Sequence, residues 1–137
     1  MNKQSFPIHL LVLILIIMAL QVPGLVFDWY VKLWWLDVAM HFLGGLWIGG
    51  VALWYYFVSG RIGISEKNKN YLIVSVVVVL VIGLSWEVFE IGVDNVTDLY
   101  SYQYLDGFYD MIMDTLGASV AALFYFLKSN KYEQQKA

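Results

Sequence analysis

Eight ionisable residues are set in the last three hydrophobic stretches of this 137-residue chain: Asp37, His41, Glu87, Glu90, Asp94, Asp106, Asp110 and Asp114. Seven are acids, and no Lys or Arg lies among them inside the apolar spans. A carboxylate inside a membrane span is costly and rare, so each is a candidate functional group. Gathering several anions in one partly dry site demands compensation. Protonation can neutralise some of them, and a bound cation can compensate several at once. Carboxylate oxygens with one imidazole are ordinary ligands for Mg²⁺, Mn²⁺, Ca²⁺, Fe²⁺ or Zn²⁺. Asp37-x-x-x-His41 and Glu87-x-x-Glu90 each present two such groups from one helix face. The expected ligands are Asp37, His41, Glu87, Glu90, Asp110 and Asp114, and the expected cofactor is a divalent metal. The ferritin-like di-iron pattern needs a Glu-x-x-His on each of two helices, and this chain lacks it.

A metal in such a site can activate water and polarise a phosphoryl or carbonyl oxygen. A spare carboxylate, Glu90 or Asp114, then serves as general base. The leading expectation is therefore a hydrolase acting on a lipid, a lipid-linked phosphate or another amphiphile from the outer leaflet. One alternative is a transporter or channel for protons or metal ions, with a homo-oligomer building the path. Another is a scaffold in which the acids only fix helix packing. Simpler roles compete at three positions. Asp37 and Asp106 suit helix N-caps, where an acid also favours the helix dipole. Asp94 ends its helix and suits solvation at the interface.

The elements that carry these groups are membrane helices. Apolar residues make up 61% of the chain and charged ones 14%, with a mean hydropathy of +0.67. Soluble domains run at roughly 45–50% and about 25%. Four apolar segments have the ~20 residues that a span requires: about 6–27, 36–58, 71–93 and 108–127. Pro23-Gly24 should kink or fray the first. Short connections make consecutive helices antiparallel neighbours. The expected fold is all-α, one four-helix transmembrane domain over 1–137. Lys3 with the apolar run from Ile8 fits a signal peptide loosely, but no small-x-small cleavage site follows. It is read as a retained helix.

Lys3, Arg61, Lys67, Lys69, Lys128, Lys131 and Lys136 fall on one side of this arrangement, and only Lys32 on the other. The positive-inside rule then puts both termini and the 59–70 loop in the cytoplasm, and the expected location is a multi-pass position in a bacterial or archaeal inner membrane. Trp29, Tyr30, Trp34 and Trp35, with Tyr100, Tyr102 and Tyr104, suit an aromatic belt at the outer interface. In this orientation His41, Glu87 and Asp114 sit at one depth, roughly 7–9 Å below the outer helix ends at 1.5 Å per residue. The acids on each helix recur at i, i+3, i+4 or i+7 and form one stripe. Below them the stripes continue as Gly44, Gly45 and Gly49, as Gly83, and as Gly117, Ala118 and Ala121. Small residues let membrane helices approach closely, so helices 2 to 4 should pack tightly below and open above into a polar cup. Helix 1 lacks such a stripe and should pack at the side.

Other chemistry is excluded or weak. With no cysteine there is no disulfide, thiolate metal site or Cys nucleophile. No basic patch exists to hold nucleic acid. Trp47, Trp54, Tyr55 and Tyr56 are expected to face lipid or the interface. Ser85 is a helix-contact hydroxyl with no base beside it, and Lys128 to Ala137 reads as a polar tail.

The set Asp37-x-x-x-His41-Phe42-x-Gly44, Trp86-Glu87-x-x-Glu90 and Asp106-x-x-x-Asp110-Met111, with Gly117-Ala118 downstream, resembles the small bacterial inner-membrane proteins of the YjdF type, the DUF2238 family. The ending Asp110 to Ala118 is also similar to the VanZ-like family, which is linked to teicoplanin resistance. That family usually has Asn where this chain has Asp114, which adds an anion. The Tyr-rich loop before the last helix is less polar than is typical of the YjdF type. The resemblance covers about residues 37–118. It implies a multi-helix membrane fold with these residues as a shared core, and it implies no activity.

Overall fold

A computed structural model describes residues 5–59, 70–97 and 104–134, with side chains at 5–59, 70–93, 107–131 and 134. Helix α1 spans Ile8–Val26, α2 is the single turn Trp29–Lys32, and α3 spans Trp34–Leu53, running on through a π-helical turn at Trp54–Val58. Helix α4 spans Tyr71–Thr97 and α5 spans Tyr104–Gln134. There is no strand among the described residues. Four helical segments are long and apolar enough to cross a membrane: Ile8–Val26, Trp34–Val58, Tyr71–Val93 and Gly107–Lys131.

The helices overrun the apolar segments. Expected ends at 93 and 127 become Thr97 and Gln134, and the last helix begins at Tyr104 rather than 108. Hydropathy marks where lipid ends, whereas a helix continues while its residues tolerate the conformation. Lys, Glu and Gln beyond the span do so readily. Pro23 and Gly24 lie within the last turn of α1 and do not interrupt it. Pro23 removes one N–H donor, but its own carbonyl accepts the Phe27 N–H at 2.9 Å. The chain then turns at Asp28, whose φ of 55° is left-handed, and enters α2. Lys32 donates from Nζ to the Phe27 carbonyl at 2.7 Å and closes this turn.

Helix α3 packs most extensively on α5, α4 packs on both, and α1 lies against α3. Close approach of α3 and α5 depends on glycine. A Cβ on Gly45 would overlap the Asp114 backbone, and one on Gly117 would overlap the Phe42 carbonyl and the Leu46 amide. Lower down, a Cβ on Gly49 would strike the Ser75 hydroxyl and press on Ala118. Gly44, expected in the same stripe, has nothing within 4 Å of its Cβ position. Its one-residue offset from Gly45 turns it about 100° away from the contact.

Below the glycines the bundle is sealed. Leu10, Leu53, Trp54, Tyr71, Ala121, Ala122 and Tyr125 form its buried core. Trp54, expected at lipid or the interface, is buried, with Phe6 edge-on at 5.0 Å between ring centroids. Trp47 is half-buried and donates its indole N–H to the Leu10 carbonyl at 2.9 Å. Both depart from the expectation because α1 covers that face of α3. The interhelical hydroxyl is Ser75, which donates to the Ala118 carbonyl at 2.8 Å. Ser85 is exposed and bonds back to Val81 of its own helix at 2.7 Å. The large aliphatic side chains left exposed, such as Leu15, Val81 and Leu123, lie on the spans and face outward.

Candidate metal centre

The glycine contact that joins α3 to α5 also aligns their acids. Asp37 and His41 stand one turn apart on α3, with His41 one turn above Gly45. Asp110 and Asp114 stand one turn apart on α5, directly before Gly117. Because Gly45 touches the Asp114 backbone, the His41 side chain is carried onto the acidic stripe of α5.

His41 is the hub. Its Nε2 lies 3.8 Å from Asp37 Oδ1 and 3.7 Å from Asp110 Oδ2, and its Nδ1 lies 3.6 Å from Asp114 Oδ1. One ring nitrogen therefore faces two carboxylates and the other faces one. Asp110 and Asp114 are buried, with 4% and 8% of their surface exposed, whereas the Asp37 side chain is 38% exposed. The site is thus closed at α5 and open at Asp37. One ligand atom each from Asp37, His41 and Asp110 lies within 4.8 Å of the others, and among the described residues this is the group of three that could hold a metal ion.

Helix α4 forms the third wall. Gly83 faces Asp114 Oδ2 and Met111 Sδ, which lie 2.9 and 3.0 Å from the position its Cβ would take. One turn higher, Glu87 is buried with 7% exposure. Glu90 is half-buried, near enough to Glu87, His41 and Asp37 for their charges to act on it, and within reach of the Trp86 side chain. Neither Glu87 nor Glu90 joins the group of three. Asp94 and Asp106 belong to α4 and α5, but their side chains fall outside those described, as do Tyr100, Tyr102, the Tyr104 side chain and the basic residues Lys3, Arg61, Lys67, Lys69 and Lys136.

Tyr30, expected in an interfacial belt beside Trp34 and Trp35, lies in α2 between the first two spans. Trp34 and Trp35 are 82% and 50% exposed, whereas the half-buried Tyr30 packs its ring over Gly24, where a Cβ would sit 3.0 Å from Tyr30 Cε2. Its hydroxyl donates to Gln21 Oε1 of α1. Burial pushes the Tyr30 phenol up, the Asp37 charge pushes it further, and the bond to Gln21 acts the other way. Tyr30 is thus near enough to Asp37, at the open edge of the cluster, to feel its charge. The left-handed turn at Asp28 that aims it there breaks every helical periodicity, so spacing alone gave no signal.

An apolar groove of about 280 Å³ runs along α4 and α5, lined by Leu80, Phe108, Met111, Ile112, Thr115 and Leu116. Met111 separates it from the carboxylates, since its sulfur packs on Gly83 next to Asp114. The Thr115 hydroxyl is spent on the Met111 carbonyl at 2.8 Å.

This chain belongs to the DUF2238 family, described as predicted membrane proteins, whose pattern matches residues 1–131. No curated protein and no solved structure matches it significantly.

Proposed function

We propose that this member of the DUF2238 family binds a divalent cation at Asp37, His41 and Asp110 and uses it to hydrolyse an amphiphile, a lipid or a lipid-linked phosphate. The observation that carries the reading is the convergence of one oxygen or nitrogen from each of these residues within 4.8 Å. Two carboxylates and an imidazole suit a hard or borderline cation. Three protein ligands leave coordination positions open, which distinguishes catalytic sites from closed structural ones.

A divalent ion held there would activate water and polarise a phosphoryl or carbonyl oxygen. The protein supplies the rest. Asp37 and Asp110 would neutralise the ion, and a ring nitrogen of His41 would bind it. Glu90, half-buried near His41 and Asp37 and outside the group of three, is placed to act as general base. The α4–α5 groove supports an amphiphilic substrate. It lies on a membrane-spanning face, its lining is hydrocarbon apart from a thioether and a satisfied hydroxyl, and it ends at Met111 against the acids. One acyl chain of the substrate would lie there. The distribution of basic residues along the sequence supports a site that opens to the outer leaflet of the cell membrane.

The transport reading is weaker. A conducting path needs polar groups through the full span, yet below His41 the helices touch through Gly45, Gly49, Gly117 and Ala118 and end in the apolar core. The scaffold reading differs in its outcome. Elemental analysis of the detergent-purified protein, prepared without chelator, should find stoichiometric divalent metal. The Glu87→Gln/Asp110→Asn double variant, still folded, should lose it, along with release of phosphate from a lipid phosphate in mixed micelles. A wild-type protein that carries no metal and melts identically with and without chelator would overturn the metal reading and leave the proton-path and scaffold readings.

A further inference from the structure

The two nitrogens of one imidazole cannot do the same work, and the surroundings of His41 differ on its two sides. Nε2 faces Asp37 and Asp110, the two acids grouped with it, at 3.8 and 3.7 Å. Nδ1 faces Asp114 alone, at 3.6 Å, and Asp114 is not in that group. We infer that Asp114 is a positioning residue rather than a ligand: its carboxylate, 3.6 Å from Nδ1, would close to hydrogen-bond distance on the Nδ1 proton once a cation takes Nε2, and so commits that nitrogen to the cation. This rests on the metal reading above and assigns the two ring nitrogens within it.

The argument has two parts. A neutral imidazole carries one N–H and one lone pair, and the partner of the N–H decides which nitrogen can bind a metal. Histidines that bind metals usually donate their other N–H to a carboxylate or carbonyl, which fixes ring and tautomer. Asp114 is the carboxylate at that nitrogen. The packing then holds Asp114 in place on three sides. Its backbone lies on Gly45 of α3, its Oδ2 faces Gly83 of α4, and its Oδ1 faces the ring. The glycines that bring the helices together are thus the same ones that aim the imidazole. Asp114 is buried, with 8% exposure, so water competes poorly for either oxygen.

Gly83→Ala offers a test that leaves Asp114 itself intact. The added Cβ would meet Asp114 Oδ2 at 2.9 Å and Met111 Sδ at 3.0 Å. Both are side-chain atoms that can move, so the fold should survive while the carboxylate shifts. The readout is Cd²⁺ bound to full-length protein in micelles, with ¹⁵N-labelled histidine. The chain has only two histidines, so His9→Gln leaves a single ring to observe. ¹¹³Cd coupling should appear at Nε2, with the proton on Nδ1. Asp114→Asn, whose amide oxygen still accepts, and Gly83→Ala should weaken Cd²⁺ binding moderately. Asp114→Ala should weaken it about 10–100-fold, and Asp110→Ala more than that. Coupling at Nδ1, or a loss in Asp114→Ala equal to that in Asp110→Ala, would make Asp114 a ligand and overturn the inference. Equal binding in wild type and Asp114→Ala would overturn it as well. Absence of Cd²⁺ binding to the wild type would remove the metal reading itself, and the inference with it.

Discussion

The two ends of the bundle are built from the same three helices and spend their interiors differently. At the end where α3 and α5 begin and α4 finishes, the interior holds His41, Glu87, Asp110 and Asp114. At the other end it holds Leu53, Trp54, Tyr71, Ala121, Ala122 and Tyr125, closed over by Leu10 of α1. Between them runs the layer of glycine contacts, from Gly83, Gly45 and Gly117 to Gly49. Lipid offers no hydrophobic drive for helices to associate, so close packing and interhelical hydrogen bonds must hold them. The apolar end and the glycine layer supply both. The polar end is therefore free to carry groups that oppose packing unless something joins them.

The largest test breaks the layer between the two ends. Gly45→Leu would drive a side chain into the Asp114 backbone, which cannot yield as a side-chain tip can. The helices must separate or tilt, and the cost should reach about 3 kcal/mol or more. Thermal melting in detergent should fall sharply, and metal content should vanish because His41 leaves the α5 acids. Gly44→Leu, with no atom within 4 Å of its Cβ position, should melt close to wild type. If the two behaved alike, the glycine layer would not be what joins the ends.

The second test addresses only the polar end. A ligand bound to the folded state alone stabilises it, by about 2.7 kcal/mol when its concentration is 100 times Kd. Chelation should therefore lower the melting temperature of the wild type, and it should leave Asp110→Ala unmoved. The core at the other end should be indifferent. Variants there should shift melting equally with and without chelator, since sites this far apart with no shared partner add. A chelator effect that survived Asp110→Ala would place the cation elsewhere.

The contrast also marks how far the sequence could be read. The spans were legible from hydropathy, and the convergence of His41 with Asp110 and Asp114 followed from period and depth alone. Both are one-dimensional signals carried by one helix at a time. Which of Gly44 and Gly45 meets α5 was not legible, because helix rotation is set by the partner and not by the stripe. The burial of Trp54 and the half-burial of Trp47 were missed for the same reason, since only the placement of α1 decides them. The packing of Tyr30 on Gly24 was not legible because a left-handed residue, Asp28, redirects the chain. The division of the His41 nitrogens was beyond sequence as well, since it turns on rotamers. Even so, once helix and depth were fixed, Asp110 and Asp114, one turn apart, had to meet the ring at different heights.

The smallest effect belongs to the apolar end and has the opposite sign. The Tyr125 hydroxyl is buried and has no hydrogen-bond partner among the described residues, and the residue itself is only 6% exposed. A buried polar group without a partner carries its desolvation penalty uncompensated, whereas an apolar group of the same shape does not. Tyr125→Phe keeps the ring that packs with Leu53, Trp54 and Ala121 and edge-on to Phe124. It should raise stability by about 1 kcal/mol, seen as a slightly higher melting temperature, with metal content unchanged. A polar-end counterpart, Asp114→Asn, changes a similarly small number of atoms and should weaken cation binding instead. If Tyr125→Phe lowered the melting temperature, the hydroxyl would have a partner, and the apolar end would hold a polar link beyond the one from Trp47 to the Leu10 carbonyl. The base would then be less uniformly apolar than its lining, and the two ends would differ in degree rather than in kind.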